Sequence, residues 1–157
     1  MKEVAAIPRL YLDTCIYGGY FDVEFELATR RLFAAVRAGQ AVVLFSQLVV
    51  AELEFAPERV QALALSVTSP PAEKVWLSAA ALALRGAYMD AGVVSPKSER
   101  DAEHVAIASV ARADAIVSWN FQHIVHSDRI SGYNGVNATN GYNALRIVSP
   151  PEVRFDE

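Results

Sequence analysis

The sequence predicts an α/β domain built on a mainly parallel sheet. Two observations predict it. Short apolar runs recur along the chain: Arg9-Leu10-Tyr11-Leu12, Ala41-Val42-Val43-Leu44-Phe45, Ala115-Ile116-Val117-Ser118-Trp119 and Leu145-Arg146-Ile147-Val148. The second run is rich in the branched residues that suit a strand buried on both faces. Segments of helical spacing separate the runs, so the strands are joined by crossovers.

Each connecting element carries its own signal. Between Val23 and Ala38, residues Phe25, Ala28, Leu32, Ala35 and Val36 can share one helix face, and Gly39 is a C-cap candidate. Ser46 can cap a helix over Gln47 to Phe55, which Pro57 stops. Glu58 to Val67 has a helical pattern, and Ser69-Pro70-Pro71 is a turn. Ala72 to Ala91 reads as one long alanine-rich helix closed by Gly92; after the loop Ser95-Pro96-Lys97, Ser98 opens a helix to about Ala111. Ile130 to Asn143, rich in Gly and Asn, reads as an irregular loop. No repeat or long linker divides the 157 residues, so a single domain over 1–157 is expected.

Composition narrows the function classes. Apolar residues make up 53% of the chain, enough for a sizeable core. Lys and Arg number 14 against 18 Asp and Glu, a net charge of −4, so contact with nucleic acid must be local rather than spread over a basic surface. An acidic excess also suits a cation site. The single cysteine, Cys15, excludes an internal disulfide and a multi-cysteine zinc site, and fits a reducing compartment. The start Met-Lys-Glu-Val-Ala-Ala-Ile-Pro lacks the apolar core of a signal peptide. The densest apolar stretch, Ser78 to Leu84, is far shorter than the roughly 20 residues of a membrane span. The expectation is a soluble, cytoplasmic protein without membrane association.

In parallel sheets, sites form beyond the carboxyl ends of the strands, and this rule selects the polar residues that matter. Asp13 directly follows the first strand, where a helix N-cap explains it equally well. Glu52 lies on the short helix after the second strand, three residues after Val49, near its apolar side. There a surface acid and a site acid are both open readings, whereas Glu54 reads as an ordinary solvent residue. Asp101 lies three residues after Ser98, as in a capping box, yet it also aligns at i, i+4 and i+7 with Val105 and Ala108 on the buried face. Asn120 follows the third apolar strand at the same edge as Asp13, either as a turn residue or as a neutral oxygen donor. Together these residues form a cluster of carboxylates plus one amide. Such a cluster would repel or take up protons unless a divalent cation sat among the oxygens. His104, His123 and His126 do not have zinc-ligand spacing, and His104 reads as a helix-surface residue.

Four segments in order carry a resemblance: Leu12-Asp13-Thr14, Ser46-Gln47 with Ala51-Glu52-Leu53, Asp101-Ala-Glu-His-Val-Ala-Ile-Ala108, and Ile116-Val117-Ser118-Trp119-Asn120-Phe121. They resemble the motifs of PIN-domain proteins, above all VapC-type toxins of toxin–antitoxin modules. The resemblance implies a three-layer α/β/α sandwich and Mg²⁺- or Mn²⁺-dependent cleavage of RNA. It implies Asp13, Glu52 and Asp101 as catalytic metal ligands and Thr14 and Ser118 as site neighbours. Asn120 is the fourth metal-site residue, standing where the family often has an acid. It further implies a cognate antitoxin partner and a homodimer. Lys97, Arg100 and Arg129 are candidate phosphate contacts, and Trp119 and Phe121 candidate stacking surfaces. Asp114 is expected to be structural. The Asn120 departure keeps a non-catalytic RNA- or protein-binding module open. A haloacid-dehalogenase-type phosphatase would need Asp at position 15, where Cys stands.

Overall fold

The computed structural model describes residues 6–155; the first five and last two residues of the expected domain lie outside the described residues, as does most of the segment read for a signal peptide. The first apolar run forms β1 (Arg9–Leu12), the central strand. It pairs in parallel with β2 (Val42–Ser46) on one side and β4 (Ala115–Val117) on the other. Two edge strands, β3 (Glu73–Val75) and β5 (Arg146–Val148), complete an all-parallel sheet of order β3-β2-β1-β4-β5. The predicted α/β class is therefore correct. The chain moves outward from β1 through β2 and β3, then returns to β4 and β5, so the order reverses between β1 and β4. In open parallel sheets such a reversal, beyond the carboxyl ends of the strands, is where ligand sites form.

Helices cover both faces, as right-handed crossovers require. On one side α1 (Thr14–Gly19) touches α2 (Glu26–Arg37), α3 (Gln47–Leu53) and α4 (Glu58–Val67). On the other, α5 (Ala79–Asp90) packs against both α6 (Glu99–Val110) and α7 (Ser127–Thr139). Strand residues such as Tyr11, Leu12, Leu44, Ile116 and Val117 are fully buried between these layers. Among the described residues, no helix is long and apolar enough to cross a membrane.

Local chemistry explains most boundaries. The Ser46 hydroxyl accepts the Val49 N–H, and Ser78 accepts that of Ala81. Gly39 and Gly92 take φ of 77° and 68° beyond α2 and α5, a left-handed turn that glycine adopts without steric cost. The third helix ends at Leu53, two residues before the expected Phe55.

Two expectations are corrected, and one helix carried no signal. The stretch Ala72 to Ala91 is not one helix, because β3 precedes α5. A three-residue strand is too short to show alternation, and its place is set from afar: the Arg9 guanidinium holds Glu73 through Nε at 2.9 Å and a second nitrogen at 3.0 Å. The Gly- and Asn-rich stretch is not a loop but mostly α7. Its glycines and asparagines serve packing: a Cβ at Gly132 would lie 2.9 Å from Val93, and buried Asn137 bonds Tyr88 and Ser109. Asn134 bonds both the N–H and the carbonyl of Leu145. Tertiary contacts thus override poor helix propensity. Finally, α1 had no readable period, being six residues that include Gly18 and Gly19.

Gly19 has a specific steric role. A Cβ there would lie 2.7 Å from the Trp119 ring nitrogen. Gly19→Ala is predicted to cost about 1–3 kcal/mol of stability, read from urea unfolding. Gly18→Ala, where a Cβ meets nothing within 4 Å, should leave the midpoint nearly unchanged. Equal midpoints for the two variants would refute the close packing on Trp119.

Candidate active site

The site is assembled at the carboxyl edge of the sheet. The backbone of β1 continues to Asp13, whose N–H bonds the Val117 carbonyl of β4 at 3.0 Å. This pins a buried carboxylate, 5% exposed, at the β1–β4 junction. Its Oδ1 accepts the Thr14 N–H at 2.7 Å, so Asp13 does cap α1. Its Oδ2 accepts the Ser118 hydroxyl at 2.7 Å and the Cys15 thiol at 3.3 Å. The cap and the site are therefore the same residue.

The half-buried Glu52 reaches in from α3. Its Oε1 accepts the Thr14 hydroxyl at 2.6 Å and lies 2.7 Å from His104 Nε2. His104 corrects the surface assignment: it is 1% exposed, and its Nε2 also lies 3.4 Å from Asp13 Oδ1. Its other nitrogen, Nδ1, is 2.7 Å from the Tyr11 hydroxyl, itself 2.7 Å from Ser46 Oγ. Asp13, Glu52 and His104 each offer a donor atom within 4.8 Å of the others. A signal for His104 existed in the spacing Asp101-x-x-His104, which puts both on one helix face. Tyr11 carried no polar signal inside an apolar strand.

Asp101 is half-buried on α6 and lies outside that tight group. Electrostatics nevertheless ties it to the site. Burial raises its carboxyl above the ordinary aspartate range, the Asp13 charge raises it further, and His123, His104 and an Asn120 hydrogen bond oppose them. Glu52 goes the other way: burial pushes it up, but His104, Thr14 and the Arg100 charge hold it below the ordinary glutamate range. For His104, burial disfavours the charge, yet Asp13, Glu52 and Asp101 outweigh it and raise its pKa. The capping-box explanation of Asp101 fails, because Ser98 makes no side-chain cap bond and α6 emerges from a 3₁₀ turn at Pro96–Ser98.

The remaining candidates divide. Asn120 sits at the expected edge, but its Oδ1 accepts the N–H groups of Gln122 and His123, at 3.2 and 2.9 Å, as a turn residue does. Ser118 is fully buried and bonds Asp13. Lys97 and Arg100 are exposed, and the Arg100 charge reaches Glu52. Trp119 stacks on Phe25 with ring centres 4.3 Å apart and donates its indole N–H to Thr29 at 3.0 Å, so much of it is scaffold. Phe121, 48% exposed, is the freer ring. Arg129 donates to the Val93 carbonyl, and Asp114 accepts the Arg9 N–H, both as structural contacts. An apolar groove of about 340 Å³ between α3 and α4, lined by Phe45, Val49, Val50, Leu53 and Leu65, contains none of the site carboxylates.

The donor chemistry suits a divalent cation. Oxygen donors from Asp13 and Glu52 converge with an imidazole nitrogen, and nearby Asp101 is raised first by burial and then by the Asp13 charge. Without metal, His104 supplies the only cationic group within that convergent set. Its pKa is raised by folding, so its stabilising contribution is fully present below the ordinary histidine value. That contribution is lost as pH rises through the elevated folded value. Metal-free protein should therefore lose urea resistance as pH climbs above neutrality, and His104→Gln should flatten that slope. Identical slopes in the two proteins would refute the charged assignment.

No family model matches the chain, and no curated protein matches it. Solved structures do. A chain of the VapBC2 complex from Rickettsia felis, determined bound to a DNA fragment from the pair's promoter, is similar with a TM-score of 0.56 and 14% identity, over 94% of this chain and 99% of that one. VapC20 from Mycobacterium tuberculosis, a toxin cleaving the sarcin–ricin loop, is similar with a TM-score of 0.49 and 16% identity, over 87% of this chain and 98% of that one. The likeness to the first is one of fold, and it accords with the PIN-like arrangement of the five-stranded sheet.

Proposed function

We propose that this PIN-like protein is a metal-dependent ribonuclease that hydrolyses RNA phosphodiester bonds, and that it acts as the toxin of a toxin–antitoxin pair. One observation carries the reading above all: Asp13 and Glu52 converge at the strand-order reversal of a PIN-like sheet, with Asp101 near enough to feel the Asp13 charge. Asp13, Glu52 and Asp101 would hold Mg²⁺ or Mn²⁺, which when bound supplies charge neutralisation at the phosphate and activation of a water. Thr14 and Ser118 orient the carboxylates through their hydroxyls. Lys97 and Arg100 draw the RNA backbone to the rim, offsetting locally the net charge of −4. Trp119 is largely taken up by Phe25 and Thr29, while Phe121, 48% exposed, is the freer ring for a base.

As one domain in the cytoplasm, the protein would meet both RNA and a cognate antitoxin, and a homodimer is the expected assembly. The fold likeness to a VapBC2 chain supports this setting. A second reading has its own observation: the Asn120 oxygen is committed to two backbone N–H groups, which removes one oxygen donor from the centre. On that reading the domain binds RNA or protein without cutting.

The deciding assay is cleavage of a structured RNA with Mn²⁺. Wild type should cut, and Asp13→Asn should be slower by about a hundredfold or more, the loss expected when a preorganised charge-stabilising group is removed. Cleavage that persists unchanged in Asp13→Asn assigns the activity elsewhere. Absence of cleavage with RNA binding intact favours the second reading.

A further inference from the structure

The residue that the proposed activity leaves unexplained is His104. A histidine that merely balanced charge could point at the carboxylates from many positions. This one is 1% exposed, and both ring nitrogens have assigned places. Nε2 faces Glu52 at 2.7 Å and Asp13 at 3.4 Å. Nδ1 faces the Tyr11 hydroxyl at 2.7 Å, and that hydroxyl faces Ser46 Oγ at 2.7 Å. Ser46 is anchored in turn as the cap that accepts the Val49 N–H.

We propose, resting on the metal-centre reading above, that His104 is itself a metal ligand through Nε2, and that the centre therefore takes Mn²⁺ and related nitrogen-accepting metals in preference to Mg²⁺. The geometry has the form that metal-bound imidazoles require. One nitrogen shares a pocket with two carboxylates, each donor atom within 4.8 Å of the others. The other nitrogen is tied to a hydrogen-bond partner that fixes ring orientation and tautomer. The Tyr11–Ser46 pair suits that task, because either hydroxyl can be the donor between them. With Nε2 on the metal, Nδ1 keeps its hydrogen and donates it to the Tyr11 oxygen, while Tyr11 donates onward to Ser46. The hydrogen that Nε2 carries toward Glu52 in the free protein passes to solvent. Mg²⁺ favours oxygen donors and dehydrates reluctantly. Imidazole nitrogen favours the first-row divalent metals, with affinity rising from Mn²⁺ to a maximum at Cu²⁺. One nitrogen beside the carboxylate oxygens thus sets metal choice.

The test reads the nitrogen directly. Metal-free protein is loaded with Mn²⁺, and electron spin-echo modulation is recorded for wild type, His104→Gln and His123→Gln. Directly bound ¹⁴N should modulate the echo in wild type and in His123→Gln, and should vanish in His104→Gln. Calorimetric titration should show Mn²⁺ binding about tenfold or more tighter than Mg²⁺ in wild type, with the gap closing in His104→Gln. Mn²⁺ that binds in an Asp13-dependent manner without nitrogen modulation overturns the His104 assignment and leaves the carboxylate centre standing. Mn²⁺ binding that is absent, or indifferent to Asp13→Asn, removes the metal centre and this assignment together. If His104→Gln does not fold, wild-type modulation that survives in His123→Gln and in His126→Gln assigns the nitrogen to His104, and its absence in wild type overturns the assignment.

Discussion

The contact between His104 and the carboxylates of Asp13 and Glu52 is the constraint around which the site is organised. Two acids are held close to each other at the end of the sheet, with Asp101 feeling the Asp13 charge, and such acids repel or take up protons unless a positive partner balances them. The imidazole supplies it from within the fold, at 2.7 Å from Glu52 and 3.4 Å from Asp13. Burial charges a desolvation cost to each ion, so this contact is not a simple gain in stability. Removing one partner is the expensive change, of the order of 3–5 kcal/mol, because it strands the other. The site is therefore stable only as a set.

The surrounding scaffold serves that set. Parallel pairing of β1 with β4 places Asp13 and Ser118 side by side, at the reversal of strand order where such sheets bind ligands. The Ser46 cap joins the start of α3, which carries Glu52, to the Tyr11 hydroxyl that holds His104. A single polar chain thus links a helix terminus, a core tyrosine and the site. Nearby, Trp119 is locked by Gly19, Phe25 and Thr29, which fixes the turn leading to Asn120 and His123. Asn120 closes that turn through its own side-chain oxygen.

Legibility followed length scale. The strands β1, β2, β4 and β5 were readable because a buried parallel strand is a short apolar block. The helices α2, α4 and α6 were readable by spacing, and Gly39 and Gly92 by their positions. The three-residue β3 was not, since its place depends on Arg9 reaching Glu73 from another strand. The helix α7 was not, because its Gly and Asn residues answer to Val93, Tyr88, Ser109 and Leu145, far away in sequence.

The sequence by itself determined the α/β class and placed Asp13, Glu52 and Asp101 near the strand ends, because those positions follow from local patterns. Only the tertiary structure decided which groups meet. It brought His104 inward to Asp13 and Glu52, turned the Asn120 oxygen to backbone, and seated Trp119 in the scaffold. Each of these outcomes depends on distances between elements that no local pattern encodes: a histidine on an apolar helix becomes surface, counter-charge or ligand only through what packs against it.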